Sequence, residues 1–197
     1  IPRFYDVTDG AIEIDGIDIR KMTQADLRAN IGYVPQKGML FSGNVVSNIA
    51  YGKDDASTDE IMKALEVAQA KNFVSEMEDG IETAIAQGGG NVSGGQKQRL
   101  SIARALVKKA PIYIFDDSFS ALDFKTDAAL RSALDAYTDN TTVLIVAQRI
   151  STIMDAEQII VLDKGRIVGI GIHDALMKNC ETYQEIAKSQ LSEEELA

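Results

Sequence analysis

Cysteine, histidine and basic charge are all scarce in this chain of 197 residues. The single cysteine, Cys180, excludes an internal disulfide and suits a reducing, cytosolic setting. The single histidine, His173, has no partner ligands for a metal and reads as a structural residue at a helix start. Lysine and arginine number 20 against 30 acidic residues, and the net charge of −10 argues against a nucleic-acid surface as the main function. Long apolar runs are missing as well. The longest, around residues 143–147, fits a buried strand and is far too short to cross a bilayer, so no direct membrane insertion is expected. No signal peptide is legible, and Ile1-Pro2-Arg3-Phe4 reads as a cut into the middle of a longer sequence. Internal repeats and low-complexity segments are absent.

What is present is the composition of a soluble globular protein, 45% hydrophobic and 25% charged, long enough for one good core and a small appendage. Residues 11–15 and 17–19 alternate around Asp15-Gly16, the pattern of a short hairpin. Thr23-Gln24-Ala25-Asp26 has capping-box spacing, and residues 31–34 read as a buried strand ending at Pro35. Helical patterning runs from Asn44 to about Met77, followed by a glycine-rich loop over residues 80–90. A long helix is predicted from Gly94 to Lys109, stopped by Pro111, and then a strand at Ile112-Tyr113-Ile114-Phe115. A helix over 125–137, strands over 142–146, 158–162 and 166–170, a short helix near 151–154 and two amphipathic helices complete the chain. The tail over 193–195 reads as a solvated acidic face. Strands alternating with helices imply an α/β fold with a mostly parallel sheet.

The most informative stretch is Val92-Ser93-Gly94-Gly95-Gln96-Lys97-Gln98-Arg99. Its glycines let backbone N–H groups approach a ligand with no Cβ in the way. The helix start adds unpaired N–H donors and the positive end of the macrodipole, which together make an anion site. Lys97, Arg99, Arg104, Lys108 and Lys109 concentrate positive charge on this helix in an otherwise acidic chain. The octet resembles the signature motif of ABC-type ATPases, with Val92 where most members carry leucine.

Four further stretches fit the resemblance. Ile112-Tyr113-Ile114-Phe115-Asp116 resembles a Walker B strand, whose carboxylate at the C-terminal end suits Mg²⁺ beside nucleotide phosphates. Gln36 resembles the Q-loop glutamine, implied to contact Mg²⁺ and to link to the transmembrane domains. Ser120-Ala121-Leu122-Asp123 resembles the D-loop, which reaches across a dimer interface. Leu40-Phe41-Ser42-Gly43-Asn44-Val45, with Asn48-Ile49 behind it, resembles exporters rather than importers. The resemblance implies ATP and Mg²⁺ as cofactors, bound through Gln36, Val92, Ser93, Gly94, Gly95, Gln96, Ser120 and Asp123, with Asp116 and Gln36 as metal contacts.

Two departures bear on catalysis. Asp117 stands where most members place the glutamate that polarises the attacking water, and it is one methylene shorter. Gln148 stands at the switch-histidine position, and an amide cannot titrate near neutral pH. Both point to a degenerate site on this chain, with its intact signature completing the site of a different partner chain. The resemblance thus implies one half of a heterodimeric exporter, joined to transmembrane domains at the cytoplasmic face of the cell membrane. A regulatory ATP-binding module with little turnover stays open. So does a non-transport ABC ATPase, although the acidic charge, the lack of coiled-coil heptads and the exporter-like segment weigh against it.

The phosphate-cradling motif G-x-x-x-x-G-K-[ST] is absent: Gly38 and Gly43 are followed by Asn44-Val45, and Gly90 and Gly95 by Gln96-Lys97. The expectation is therefore a P-loop NTPase-like sheet flanked by helices, with a helical signature subdomain and with the P-loop strand missing between the strands at 142–146 and 158–162. The expected segments are 1–36 up to the Q-loop, 37–105 for the signature subdomain and 106–197 for the remainder. Unpaired strand edges and an opened core are expected in such a piece, which by itself should be inactive and either poorly stable or reliant on a strand borrowed from another chain.

Overall fold

The computed structural model describes residues 1–191. The chain divides into two compact units, Ile1–Val146 and Ala147–Ala197. The first begins with the hairpin β1 (Glu13–Ile14) and β2 (Ile17–Asp18), turned by Asp15 at φ 50° and Gly16 at φ 75°. Two left-handed residues in succession are what a tight hairpin turn requires, and Asp-Gly tolerates them at least cost. Next come α1 (Gln24–Ala29), β3 (Ile31–Val34) and β4 (Gly43–Asn44). Thr23 caps α1 by accepting the Asp26 N–H. The helical stretch that follows is three helices, α2 (Val45–Ala50), α3 (Thr58–Val67) and α4 (Lys71–Ser75). Reciprocal capping boxes start α2 at Asn44/Ser47 and α3 at Ser57/Glu60, so each has its own local start signal.

The glycine-rich loop holds β5 (Ala84–Ile85), antiparallel to β4. Then come α5 (Gly94–Leu106), β6 (Ile112–Asp116), α6 (Phe124–Tyr137) and β7 (Thr142–Val146). The strand order β3-β6-β7 is parallel throughout, with Tyr33 opposite Ile114 and Ile114 opposite Leu144. The α5 helix stops short of the predicted Lys109, which instead takes φ 53°. A left-handed residue ends the helix, and Ala110 before Pro111 is biased toward extended backbone.

Alternation along β6 sets the two faces of this sheet. Tyr113 and Phe115 join Leu100, Ile102 and Leu106 of α5 and Leu65 of α3 in the main core. Ile114 faces the other way, with Ile31 and with Leu27 of α1, and Tyr33, Ile112 and Leu144 pack around them. Burying a side chain such as Phe115 contributes on the order of 1.5–3 kcal/mol. Among the described residues β7 borders the sheet, and its Val146 is 56% exposed.

The second unit holds α7 (Ile150–Ile153), the antiparallel pair β8 (Ile159–Asp163) and β9 (Arg166–Gly171), α8 (His173–Asn179) and α9 (Glu181–Gln190). Its core is Ile150, Ile159, Val161, Leu176, Cys180, Tyr183 and Ala187. The intervening Ile160 and Leu162 are exposed, as strand alternation dictates. His173 opens α8 as expected, with Nδ1 2.9 Å from the hydroxyl of buried Tyr183. The acidic tail predicted over 193–195 lies outside the described residues. No described helix is long and apolar enough to cross a membrane.

Candidate functional site

The C-terminal ends of β3 and β6 bring three of the expected site residues together in the first unit. Asp116 is the last residue of β6, and Asp117 follows it at φ 46°. The Asp117 N–H donates to the Val146 carbonyl at 2.8 Å, so the turn out of β6 is fastened to the end of β7. Gln36, two residues beyond β3, donates from Nε2 to Asp117 Oδ2 at 3.1 Å. Tyr33 donates its hydroxyl to Asp116 Oδ2 at 3.2 Å. Partial burial, together with the Asp116 charge and this bond, holds the Tyr33 phenol above its usual pKa, so it remains a donor.

The segment after these carboxylates is braced from below. Ser118, fully buried, donates Oγ to the Val34 carbonyl at 3.1 Å and to the Asp116 carbonyl at 3.3 Å. Ser120 Oγ donates to the Asp117 carbonyl at 3.0 Å. Asp123 caps α6, its carboxylate accepting the Thr126 N–H at 3.0 Å and the Thr126 hydroxyl at 2.7 Å. Those bonds hold the Asp123 carboxyl below the usual carboxylate range.

At the start of α5, Ser93 and Gln96 form a reciprocal capping box. Ser93 Oγ accepts the Gln96 N–H at 3.2 Å, and Gln96 Oε1 accepts the Ser93 N–H at 2.9 Å. The Gly94 and Gly95 N–H groups have no intrahelical acceptor at this end. A Cβ on Gly94 would meet nothing within 4 Å, whereas one on Gly95 would lie 3.4 Å from the Ala121 carbonyl. The fold therefore sets the Ser93–Gln96 turn against residues 121–122. Val92 packs on the main core.

The basic face anticipated on α5 is not an open anion patch. Arg99 donates to the Gln69 carbonyl at 2.7 Å and lies over the Phe73 ring. Arg104 donates to the Asn48 and Met39 carbonyls and to Asn48 Oδ1, each at 2.8 Å. Lys108 donates to the Arg28 and Ile31 carbonyls, and Lys109 pairs with Glu60 at 2.8 Å. Burial lowers the pKa of Arg99, Arg104 and Lys108. These four cations hold the fold together.

Gln148 belongs to the second unit, where its carbonyl accepts the Gln190 Nε2–H at 2.7 Å. Tyr33 and Ser118 bond to this cluster, and a reading of motifs passes over them. The signal for Tyr33 lies in register: it sits opposite Ile114, two residues before Asp116 on the same sheet face. Gln98 is another. Buried at 2% exposure, it accepts the Gly38 N–H and donates to the Pro35 carbonyl, tying α5 to the loop that carries Gln36.

The donor set suits one kind of metal site. No group of three or more histidine, cysteine, aspartate or glutamate side chains able to hold an ion exists among the described residues. Two adjacent carboxylates and an amide at a strand end instead fit Mg²⁺, which takes hard oxygen ligands and fills its remaining positions with water and phosphate oxygens.

Comparison with known proteins points the same way. The family model of ABC transporters matches residues 1–120. An uncharacterized ABC transporter ATP-binding protein of Mycobacterium bovis is 49% identical over 193 residues, covering 96% of this chain and 33% of that protein. An ATP-dependent lipid A-core flippase of Desulfotalea psychrophila is 44% identical over 190 residues, again 96% of this chain and 33% of the relative. The solved structure of a bacterial Atm1-family ABC exporter with ATP bound superposes with a TM-score of 0.93 at 41% identity, over 98% of this chain and 34% of that one. The chain thus spans about a third of the length of the relatives it matches.

Proposed function

Because this chain belongs to the ABC transporter family, we propose that it is part of the ATP-driven motor of an exporter, closing on a second nucleotide-binding domain from a different chain. The observation that carries this reading is the cluster at the ends of β3 and β6, where Tyr33 and Gln36 each bond one of two neighbouring carboxylates. In this reading Asp116 and Gln36 hold Mg²⁺ delivered with ATP. The bound ion would neutralise charge developing on the phosphoryl oxygens.

The chain's own site turns over slowly. Aspartate at position 117 ends one methylene short of a glutamate, and a misplacement of about 1 Å at a reacting centre costs on the order of 10²-fold in rate. Asp117 also accepts from Gln36, which draws one carboxylate oxygen toward β3. Gln148, where the family resemblance places a switch histidine, carries an amide with no titratable proton near neutral pH. The Ser93–Gln96 turn, with Gly94 and Gly95 at an uncluttered helix start, completes the partner's site by presenting donors to charge on the phosphates. Ser120 and Asp123 lie on the segment that meets that partner.

The transmembrane partners are exporter domains at the cytoplasmic face of the membrane, a placement that the flippase and exporter likenesses favour. Met39, Phe41 and Tyr51, all exposed and gathered around Arg104, offer apolar surface suited to such a contact. A regulatory module with little turnover shares this chemistry, and a partner with an intact glutamate and histidine distinguishes the exporter. The test is Asp117→Glu combined with Gln148→His in the full heterodimer, read as site-resolved ATP turnover. Faster hydrolysis at this chain's site is the expected result, and unchanged turnover there overturns the reading.

A further inference from the structure

We propose that Tyr33 is a positioning residue for Asp116, its phenol holding one carboxylate oxygen so that the group presents a fixed orientation to the cation. The inference rests on the reading of Asp116 as a Mg²⁺ contact and adds to it a residue outside the motifs.

The geometry follows from parallel register. Tyr33 is opposite Ile114, so its side chain shares a sheet face with Ile114 and with Asp116 two residues on. A diagonal neighbour of this kind is too far for a short side chain but within reach of an aromatic one. Tyr33 closes the gap with its hydroxyl, 3.2 Å from Asp116 Oδ2. The ring is itself held: Phe4 meets it edge-on at a centroid distance of 5.7 Å and 67°, and it packs against the cluster of Ile19, Leu27, Ile31 and Ile114. These contacts restrict the ring, and with it the hydroxyl, so the carboxylate it holds has a preferred rotation. Gln36, two residues past the end of β3, does the same for Asp117, the residue after β6, so two donors at this edge each hold one of two adjacent carboxylates. An outer-sphere donor of this kind orients a metal-binding carboxylate, and its loss characteristically weakens metal affinity by tenfold or more.

Tyr33→Phe removes the hydroxyl and keeps the ring that Phe4 and the apolar cluster hold. The experiment uses the full-length protein assembled with its partner, with Mn²⁺ replacing Mg²⁺. Mn²⁺ is titrated at saturating ATP and its binding is followed by electron paramagnetic resonance, for the unaltered protein, Tyr33→Phe, Asp116→Asn and the double variant. The expected result is about tenfold weaker Mn²⁺ binding in Tyr33→Phe, a larger loss in Asp116→Asn, and no further loss in the double variant. If Asp116→Asn weakens Mn²⁺ binding and Tyr33→Phe leaves both affinity and spectrum unchanged, Tyr33 is only a packing residue and the proposal falls alone. If Asp116→Asn itself binds Mn²⁺ normally, the metal reading of Asp116 falls and the proposal with it. Thermal unfolding of each variant keeps loss of fold separate from loss of metal. Should Tyr33→Phe fail to fold, Tyr33→Trp retains an aromatic body, and undiminished Mn²⁺ binding in it overturns the proposal.

Discussion

Gln98 Oε1 accepts the Gly38 N–H at 2.9 Å, and the same amide donates through Nε2 to the Pro35 carbonyl at 3.3 Å. One buried side chain thereby ties the helix that begins at Ser93 to the loop that carries Gln36. A Cβ on Gly38 would come within 2.8 Å of Gln98 Oε1 and 3.0 Å of Ser101 Oγ, so the approach depends on glycine. Gln98→Ala leaves a backbone donor and an acceptor without their partner, and stability is expected to fall by about 1–3 kcal/mol. Urea unfolding of the variant checks this.

Asp117 holds φ 46°, a conformation that costs most side chains about 1–2 kcal/mol and glycine almost nothing. Asp117→Gly is therefore expected to unfold at higher urea than Asp117→Ala, by about 1 kcal/mol. Equal midpoints would mean that the backbone relaxes freely at this turn. The comparison isolates backbone strain, because both variants lose the bond to Gln36.

The ordering of charge around Glu60 predicts an acid-sensitive stability. Bonds from Lys109 and Lys53 and from the Ser57 N–H bring its carboxyl down to about 2. Asp18, held by Arg20, is likewise lowered to about 2. Groups whose folded pKa is depressed stabilise the fold above their unfolded pKa of about 4 and lose that contribution as pH falls through the folded value. The melting temperature is expected to decline between about pH 4.5 and 2, and Glu60→Gln to flatten that decline. A decline of the same slope in Glu60→Gln would remove Glu60 as its cause.

The start of α5 separates fold from function. Ser93→Ala removes the cap on the Gln96 N–H and is expected to cost about 1 kcal/mol. Gly94→Ala has open space for its Cβ and is expected to change stability by no more than about 0.5 kcal/mol. If this turn completes a partner's site, Gly94→Ala nonetheless lowers the partner's ATP turnover, by about tenfold or more, since a methyl then stands where a phosphate must approach. Site-resolved hydrolysis in the heterodimer gives the answer, and full turnover in that variant would remove the turn from the site.

The sequence by itself determined the parts whose information is local. Asp15-Gly16 specifies a tight turn, the spacing Thr23-Gln24-Ala25-Asp26 and the glycines at Gly94-Gly95 mark helix starts, and four apolar residues before Asp116 specify a strand ending in a carboxylate. Each depends on neighbours within a few positions, so composition and spacing suffice. The family likeness of the Val92–Arg99 stretch is legible for the same reason.

What only tertiary structure decided is where long side chains reach. Lys97, Arg99, Arg104, Lys108 and Lys109 read as a concentration of positive charge, yet all but Lys97 are drawn to acceptors far away in the chain, from Gln69 to Arg28, and for the partly buried Arg99, Arg104 and Lys108 desolvation demands such partners. Tyr33 is an ordinary strand aromatic until parallel pairing with β6 sets its hydroxyl on Asp116, 83 positions on. Register and packing create that contact, and neither is written in the residues next to Tyr33.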